Sequence, residues 1–238
     1  LASISDWPPD KKAIPGTLLG TFFFRQSKVF LAISSELDLF LHSDPGIKVD
    51  TGTKELEGSF GEKITEGLDG LRKRCKEYFE MGARFTKWRA VYKISGKCPS
   101  PQSIRSNAHA LARYAALVQE AKMVPIIEPE VLMDGDHSAD ECLEKTSEVI
   151  KKCFEELILH KIDLSGIILK PNMILAGSYS KNKISNEEVS DKTLECLKNS
   201  VPTEVPGIAF LSGGQSEIEA TENLNLISKN NSTNFIMT

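Results

Sequence analysis

A repeat distance of about forty residues constrains the fold of this chain more than any other feature. Five short apolar runs recur at that distance, and each carries a polar residue at or near its end. These polar residues are Lys48 in GIKV, Lys87 in RFTKWRAVYKI, Glu128 in VPIIEPE, Lys170 in GIILKP and Ser212 in GIAFLSGG. Because sequence identity between the units is slight, the repeat indicates a recurring structural unit rather than a copied sequence.

Helical patterns separate these apolar runs. Residues 68–82 carry apolar side chains at three- and four-residue spacing and stop at Gly82. Residues 137–159 open with Ser138 and Glu141 at capping-box spacing. The other helical patterns cover residues 103–121, 186–201 and 216–229. Short strands that alternate with helices predict a parallel sheet with right-handed crossovers.

The polar residues recur at the carboxyl ends of the predicted strands. In a TIM (β/α)8 barrel the active site gathers at that end of the sheet, whereas a doubly wound sheet uses a single switch point. The pattern favours the barrel, with the doubly wound sheet as the alternative. Eight units at this spacing would need more than roughly 300 residues, but the chain has 238. We therefore predict an α/β fold that is an incomplete barrel of about six βα units.

The two ends of the chain depart from the repeat. Residues 1–45 contain GTFFF and KVFLAI with no full-length helix between them, and a hairpin is the local prediction. At the other end NFIMT begins another strand. We therefore divide the chain into a divergent N-terminal segment, residues 1–45, and a barrel, residues 46–238, that is truncated at its last strand.

Lys170 ends an apolar run and is followed directly by a proline. A buried ammonium is costly unless it is paired or made neutral. Lys170 is therefore either a lysine that reaches past a strand end into water or a neutral amine that attacks a ketone. Lys87 is a candidate neighbouring cation that would lower the pKa of Lys170. Glu128 and Glu130 are candidates for a proton shuttle, with a structural ion-pair network as the alternative.

A glycine turn follows the last of the five apolar runs. The backbone N–H groups of Ser212, Gly213 and Gly214 can cradle a phosphate together with the N-terminus of the next helix, although glycines also make ordinary turns. Lys48 and Arg89 are candidates to bind a second phosphate, with solvated surface charges as the alternative.

Composition and spacing argue against several other functions. The net charge of −4 and the interspersed charges give no sign of a nucleic-acid partner. The five cysteines form no CxxC pair, which predicts free thiols in a reducing compartment. The four histidines show no paired spacing, so we predict no metal. Without a membrane-spanning run or a signal peptide, the predicted location is cytoplasmic.

Seven segments of the chain resemble the class I fructose-bisphosphate aldolases. In order they are GIKVDTG, GLDGLRKRCKEY, GARFTKWRAVYKI, NAHALARYA, VPIIEPEVLMDGDH, ILKPNM and FLSGGQSE. The resemblance implies a TIM barrel, usually a homotetramer, with no metal or other cofactor. It also implies a glycolytic lyase that reversibly cleaves fructose 1,6-bisphosphate to dihydroxyacetone phosphate and glyceraldehyde 3-phosphate.

The resemblance also implies a role for each candidate residue. Lys170 matches the Schiff-base lysine, Glu128 the carboxylate that acts as acid and base, and Lys87 the lysine that assists imine chemistry. The residues that match substrate-binding positions are Lys48, Arg89, Glu130, Ser212, Gly213 and Gly214.

Two parts of the family pattern have no counterpart in this chain. Nothing in residues 1–45 reproduces the first two family strands, with their AADES-like and ILFHE-like segments, and the SYGRAL-like segment with its phosphate-binding arginine would follow NFIMT. The alternative function is therefore a truncated aldolase paralogue that binds metabolites or partners without turnover and for which no tetramer is expected. Another Schiff-base lyase on the same fold is a third, disfavoured interpretation.

Overall fold

A computed structural model of the chain describes residues 45–59 and 61–238. The hairpin predicted in residues 1–45 falls outside this part of the chain, so the hairpin and the segment boundary stay predictions. In chain order the strands are β1 (Gly46–Lys48), β2 (Gly52–Glu55), β3 (Lys63–Glu66), β4 (Phe85–Tyr92), β5 (Val124–Val131), β6 (Ile168–Leu169), β7 (Gly207–Ile208) and β8 (Ile236–Met237). The helices are α1 (Leu71–Glu80), α2 (Pro101–Glu120), α3 (Ala139–Leu159), α4 (Asn186–Ser200) and α5 (Glu217–Asn230).

Six of the strands form one parallel sheet in the order β1, β4, β5, β6, β7, β8. Each strand of this sheet lies beside the previous sheet strand along the chain, and a helix separates every pair. Because the order never reverses, the barrel type of winding is confirmed and the doubly wound alternative is wrong. Within the described residues β1 and β8 each pair on one side only, so the six strands form an incomplete barrel.

The remaining two strands, β2 and β3, form an antiparallel hairpin between β1 and α1. The sequence patterns did not predict this hairpin, because its strands GTKE and KITE are mostly polar and partly exposed. Thr65 ties the hairpin to the barrel. Its Oγ1 donates to the Arg89 carbonyl at 2.7 Å, and its N–H donates to Asn107 Oδ1 at 3.2 Å. The hairpin therefore lies against the end of β4 that carries the candidate site.

Three helices begin with the same side-chain arrangement. The Ser138 side chain accepts from the Glu141 N–H, and the Glu141 carboxylate accepts from the Ser138 N–H, so the predicted capping box of α3 is confirmed. Equivalent serine–glutamate boxes begin α4 and α5. Because each of these helices follows a strand of the sheet, all three boxes lie towards the end where the strands finish.

Successive side chains of β4 point alternately to the helices and to the side of the sheet that carries the candidate residues. Thr86 Oγ1 lies 2.7 Å from the Tyr114 hydroxyl of α2, and the Trp88 ring lies 5.4 Å from the Tyr114 ring. Lys87, between Thr86 and Trp88, points to the opposite side. The helices therefore cover one face of the sheet, and the polar residues project from the other.

All five cysteines are buried free thiols, as their dispersed spacing predicts. Burial raises the pKa of Cys75 to about 11 and that of Cys153 to about 12, so both thiols are protonated at neutral pH. None of the described helices is long and apolar enough to cross a membrane.

Candidate active site

Three neighbouring strands bring the predicted site residues to one side of the sheet. Lys170 follows its strand, as the sequence predicts, but Lys87 lies near the start of β4 and Glu128 in the middle of β5, because both strands continue past these residues. In the register of β4 and β5, Arg89 lies beside Glu128. Side chains two residues apart share a side of a strand, so Lys87 and Glu130 face the same way. Lys170 follows β6 directly, and its N–H donates to a main-chain carbonyl of β5 at 2.7 Å. Lys170 therefore continues the sheet register opposite Glu128.

Glu128 forms the centre of a buried group of three charges. Its Oε2 accepts from Lys87 Nζ at 2.6 Å, and its Oε1 lies 3.0 Å from Lys170 Nζ. The exposed fraction is 1 % for Glu128, 1 % for Lys170 and 6 % for Lys87. The structure thus brings together the three residues that the sequence predicts as catalytic. The group carries two cations and one anion when all three are ionised.

Burial and this charge arrangement shift two of the three pKa values. Burial lowers the pKa of Lys170, and the nearby Lys87 lowers it further, while the attraction of Glu128 offsets only part of the decrease. Burial alone would raise the pKa of Glu128, but the attraction of Lys170 and Lys87 outweighs it and holds the pKa below its ordinary value. The site therefore favours an ionised carboxylate beside a lysine that deprotonates more readily than usual.

Arg89 and Glu130 form a second pair nearer the rim. The Arg89 guanidinium donates to a Glu130 carboxylate oxygen, and the Arg89 side chain is 38 % exposed. Glu130 is buried. Glu130 is thus ion-paired with Arg89, and Glu128 is the carboxylate beside Lys170. The roles predicted for Glu130 in proton transfer and substrate binding stay predictions.

Asp50 is a residue of this site that sequence reasoning missed. It is 8 % exposed and binds the Lys48 ammonium through Oδ1. The same oxygen accepts from the Gly52 N–H at 3.1 Å, and Oδ2 lies 3.4 Å from the Arg89 N–H. The spacing offered a signal, because Asp50 lies two residues after Lys48 and so faces the same side of the chain. Asp50 holds Lys48 beside the end of β4.

The Ser212–Gly214 loop lies beside the segment that carries Lys170. The Ala209 N–H donates to the Leu169 carbonyl at 2.9 Å, and the Leu211 N–H donates to the Pro171 carbonyl at 3.2 Å. These bonds continue the sheet contact from β7 to the start of the loop. The chain then turns through two positive φ values, 56° at Gly213 and 83° at Gly214. Only glycine adopts such values without strain.

The N-terminus of α5, which the sequence suggested as a partner for the phosphate, already carries its own carboxylate. Glu219 accepts from the Ser216 N–H at 2.9 Å and from the Ser216 hydroxyl at 2.7 Å. The N–H groups of Gly213 and Gly214, in contrast, have no acceptor among the described residues. The glycine amides are therefore the donors that remain for an anion, and the self-capped helix contributes less than the sequence suggested.

A cavity of about 280 Å³ adjoins this loop. Gly213 and Gly214 form part of its wall, together with Lys183 and Glu219. The Lys183 ammonium donates to the Gly177 carbonyl at 2.6 Å. The volume is close to the lower end of ligand pockets, about 300 Å³.

Asn172 is a second residue that sequence reasoning missed. It is 2 % exposed, two residues after Lys170, and its Oδ1 accepts from the Val131 N–H at 3.0 Å. Its Nδ2 donates to Thr146 Oγ1 of α3 at 3.1 Å. Asn172 therefore fixes the segment that follows Lys170 to the end of β5 and to α3. With both ends of its amide bonded, Asn172 holds the backbone that carries Lys170 in place.

Comparison with known proteins identifies the family. Residues 36–238 match the family profile described as fructose-bisphosphate aldolase class-I. The chain is 49 % identical over 202 residues to "Fructose-bisphosphate aldolase 4, cytosolic" of Arabidopsis thaliana, across 85 % of this chain and 50 % of that protein. It is 51 % identical over 181 residues to "Probable fructose-bisphosphate aldolase class 1" of Xanthomonas campestris pv. campestris, across 76 % of this chain and 54 % of that protein.

A solved structure gives the same result. The fructose-bisphosphate aldolase from Plasmodium falciparum, crystallised with TRAP and a small-molecule inhibitor, superimposes with a TM-score of 0.82 at 43 % identity. The match covers 85 % of this chain and 59 % of that one. The chain thus spans about half the length of the curated relatives it matches. The profile match, the identity to these relatives and the shared fold show that the chain belongs to the class I fructose-bisphosphate aldolase family.

Proposed function

We propose that this protein is a Schiff-base lyase that reversibly cleaves fructose 1,6-bisphosphate to dihydroxyacetone phosphate and glyceraldehyde 3-phosphate. The single observation that carries the proposal is the buried amine of Lys170, which has a lowered pKa and a carboxylate oxygen of Glu128 3.0 Å away. Membership of the aldolase family supports it.

Lys170 supplies the nucleophile. Once its ammonium has passed a proton to Glu128, the neutral amine adds to the C2 ketone of the sugar, and a proton moves from the nitrogen to the carbonyl oxygen to give a carbinolamine. Loss of that hydroxyl as water, with a proton from the acid form of Glu128, leaves a protonated imine. Lys87 donates a hydrogen bond to Glu128 at 2.6 Å and holds the carboxyl group in position between the two lysines.

The imine then makes the carbon–carbon cleavage possible. A base removes the proton of the C4 hydroxyl, the bond between C3 and C4 breaks, and its electron pair moves into the imine to form an enamine. Glyceraldehyde 3-phosphate leaves as the aldehyde. Protonation of the enamine at C3 and addition of water to the imine release dihydroxyacetone phosphate and return the amine of Lys170. Each step reverses in the direction of condensation.

Backbone and cationic groups around the triad provide binding sites for the two phosphates. The Gly213 and Gly214 amides are proposed for the ketose phosphate, together with Ser212, which is buried at the start of the loop. Lys48 and Arg89 are proposed for the other anionic end of the sugar. Binding at both ends fixes C2 against Lys170, and such orientation contributes to the rate.

Borohydride trapping tests the proposal. Purified protein is incubated with dihydroxyacetone phosphate, reduced with sodium borohydride, digested and mapped by mass spectrometry. We expect one reduced adduct, on the peptide that carries Lys170. An adduct spread over exposed lysines, or no adduct on a folded sample, would contradict the proposal.

The truncated paralogue without turnover remains the alternative function. A coupled assay of glyceraldehyde 3-phosphate release from fructose 1,6-bisphosphate separates the two, because the paralogue would release none. A parallel screen of unphosphorylated ketoses would reveal a different Schiff-base lyase.

The relatives named cytosolic or cytoplasmic support a cytosolic location for this chain. The homotetramer implied by the resemblance stays a prediction that sedimentation can test.

The rate of adduct formation is expected to rise with pH, with a midpoint below 10.5, the ordinary pKa of lysine. Only the neutral amine attacks the ketone. Burial and Lys87 both lower the pKa of Lys170, so a larger fraction of the amine is neutral at a given pH. Lys87→Met removes the repulsion from a neighbouring cation, so we expect the midpoint to move to higher pH. The measurement is the trapping rate with cyanoborohydride as a function of pH. Lys161→Met, which removes an exposed amine outside the triad, is the control, and an unchanged midpoint in Lys87→Met would contradict the assigned cause.

Gly214→Ala is expected to weaken binding of dihydroxyacetone phosphate about tenfold or more, because one hydrogen bond to a charged group is worth about 1.5–3 kcal/mol. An alanine at a φ of 83° is strained, and relief of that strain turns the amide away. Gly70→Ala is the matched control, since Gly70 has a φ of 66° and, like Gly214, open space around the added Cβ. Both variants should lose about 1–2 kcal/mol of stability. Calorimetric titration should show the affinity loss in Gly214→Ala alone.

A further inference from the structure

Three potential metal ligands meet on the helical layer, away from the candidate active site. They are His109 on α2, Glu156 on α3, and His160, the residue that follows α3. One donor atom from each residue lies within 4.8 Å of the donor atoms of the other two. No local sequence pattern indicates this cluster, because His109 lies far along the chain from the other two residues. Packing of α2 against α3 creates it.

The spacing within the cluster suits a small tetrahedral ion. Glu156 and His160 are four residues apart, so they lie on the same side of α3. His109 Nδ1 lies 3.3 Å from Glu156 Oε2. Two ligands that each lie about 2.0–2.1 Å from a tetrahedral zinc ion are about 3.3 Å apart. The His109–Glu156 pair therefore already has the separation of two zinc ligands.

His160 is oriented in the manner of a metal-binding histidine. Its Nδ1 lies 2.8 Å from the main-chain carbonyl of Glu156. A carbonyl oxygen only accepts hydrogen bonds, so Nδ1 donates to it and Nε2 is the ring nitrogen left to bind a metal ion. Metal-bound histidines commonly donate their other ring N–H to a carbonyl or carboxylate in this way. The rings of His109 and His160 are 5.0 Å apart between centroids, and their Nδ1 atoms lie 3.3 and 3.8 Å from Glu156 Oε2.

The carboxylate of Glu156 lacks a permanent cationic partner. Glu156 is 8 % exposed, and within the described part of the chain its carboxylate contacts the two histidines but no lysine or arginine. Buried carboxylates are usually paired with a cation or coordinate a metal. A bound cation between the three side chains would satisfy Glu156.

We propose that His109, Glu156 and His160 form a zinc site that links α2 to α3. Two imidazole nitrogens and one carboxylate oxygen suit Zn²⁺ and its transition-metal neighbours, whereas Mg²⁺ and Ca²⁺ prefer sites made of oxygen ligands. His109 is largely exposed, so water completes the coordination. This site is separate from the proposed lyase chemistry, which uses no metal.

Zinc titration of the 238-residue chain tests the proposal. Protein freed of metal with a chelator is titrated with ZnCl₂ in competition with a chromophoric zinc chelator. We expect one Zn²⁺ ion per chain. His109→Ala and His160→Ala should each weaken binding by about ten- to a hundredfold. Arg113→Ala, one helical turn after His109 and exposed, is the matched control and should leave the affinity within about twofold of the parent.

Two further measurements separate this site from other zinc-binding groups. Co²⁺ bound by the three residues should give the visible absorption of a four-coordinate ion, and His109→Ala should lose it. Zn²⁺ should raise the melting temperature of the parent chain and of Lys170→Met, but not that of His109→Ala. Zinc binding that persists unchanged in the double variant H109A/H160A would overturn the proposal, as would no binding up to about 1 mM Zn²⁺.

Discussion

Lys170→Met is expected to abolish the borohydride-trapped adduct and to lower the rate of fructose 1,6-bisphosphate cleavage by at least about a thousandfold. Methionine fills a similar volume but has no amine, so no imine forms. The fold should survive, because Glu128 keeps its 2.6 Å contact with Lys87 and the buried group loses its excess positive charge. We therefore expect urea denaturation of Lys170→Met to show a stability equal to or above that of the parent.

Lys161→Met is the matched control for this prediction. Lys161 is exposed and lies at the end of α3, so its loss removes one surface amine and leaves the buried triad intact. Its adduct yield and cleavage rate should equal those of the parent. If Lys170→Met kept the adduct, the amine that reacts with the ketone would be another lysine and the proposed function would lose its nucleophile.

Glu128→Gln is expected to have the largest effect on stability, a loss of about 3–5 kcal/mol in the free energy of unfolding. The substitution leaves the ammonium groups of Lys87 and Lys170 buried together with no negative charge between them. Denaturation in urea at neutral pH measures the loss. Glu130→Gln is the control, because its partner Arg89 is 38 % exposed, and a partly exposed pair of this kind is worth about 1 kcal/mol or less.

The difference between the parent and Glu128→Gln should shrink in acid. The pKa of Glu128 is lowered in the folded protein, so its stabilising contribution is complete above the ordinary value of 4.5 and is lost as the pH falls through the folded pKa. The parent should therefore approach the variant below pH 4.5. A difference that stays constant down to acid would show that the ion pairs do not cause the stability loss.

The sequence predicted the sheet well because each strand has a local signature. The apolar runs that carry Lys87, Glu128 and Lys170 are neighbouring strands, and their order follows from the winding rule for parallel sheets. The β2–β3 hairpin was missed because its polar strands lack an alternating pattern. Its position depends on Thr65 contacts with distant residues, which no local window contains.

The site was predicted by residue type, but its contacts were not. In the sheet register Lys87 lies beside Ile126, one layer below Glu128, and the length of its side chain brings the ammonium to the carboxylate. Periodicity alone did not indicate that reach. Nor did it show that Glu130 binds Arg89 while Glu128 binds both lysines. Such choices depend on side-chain rotamers and on burial, which are properties of the packed structure.

The register between β4 and β5 has a consequence for how this chain can change in evolution. The two strands pair over eight residues each, and successive side chains alternate between the helices and the site. Insertion or deletion of one codon within either strand would turn Lys87 or Glu128 towards the helical layer and bring an apolar residue into its place. The genes of functional descendants should therefore vary these strands by substitution, and accept length changes in exposed turns such as 95–97.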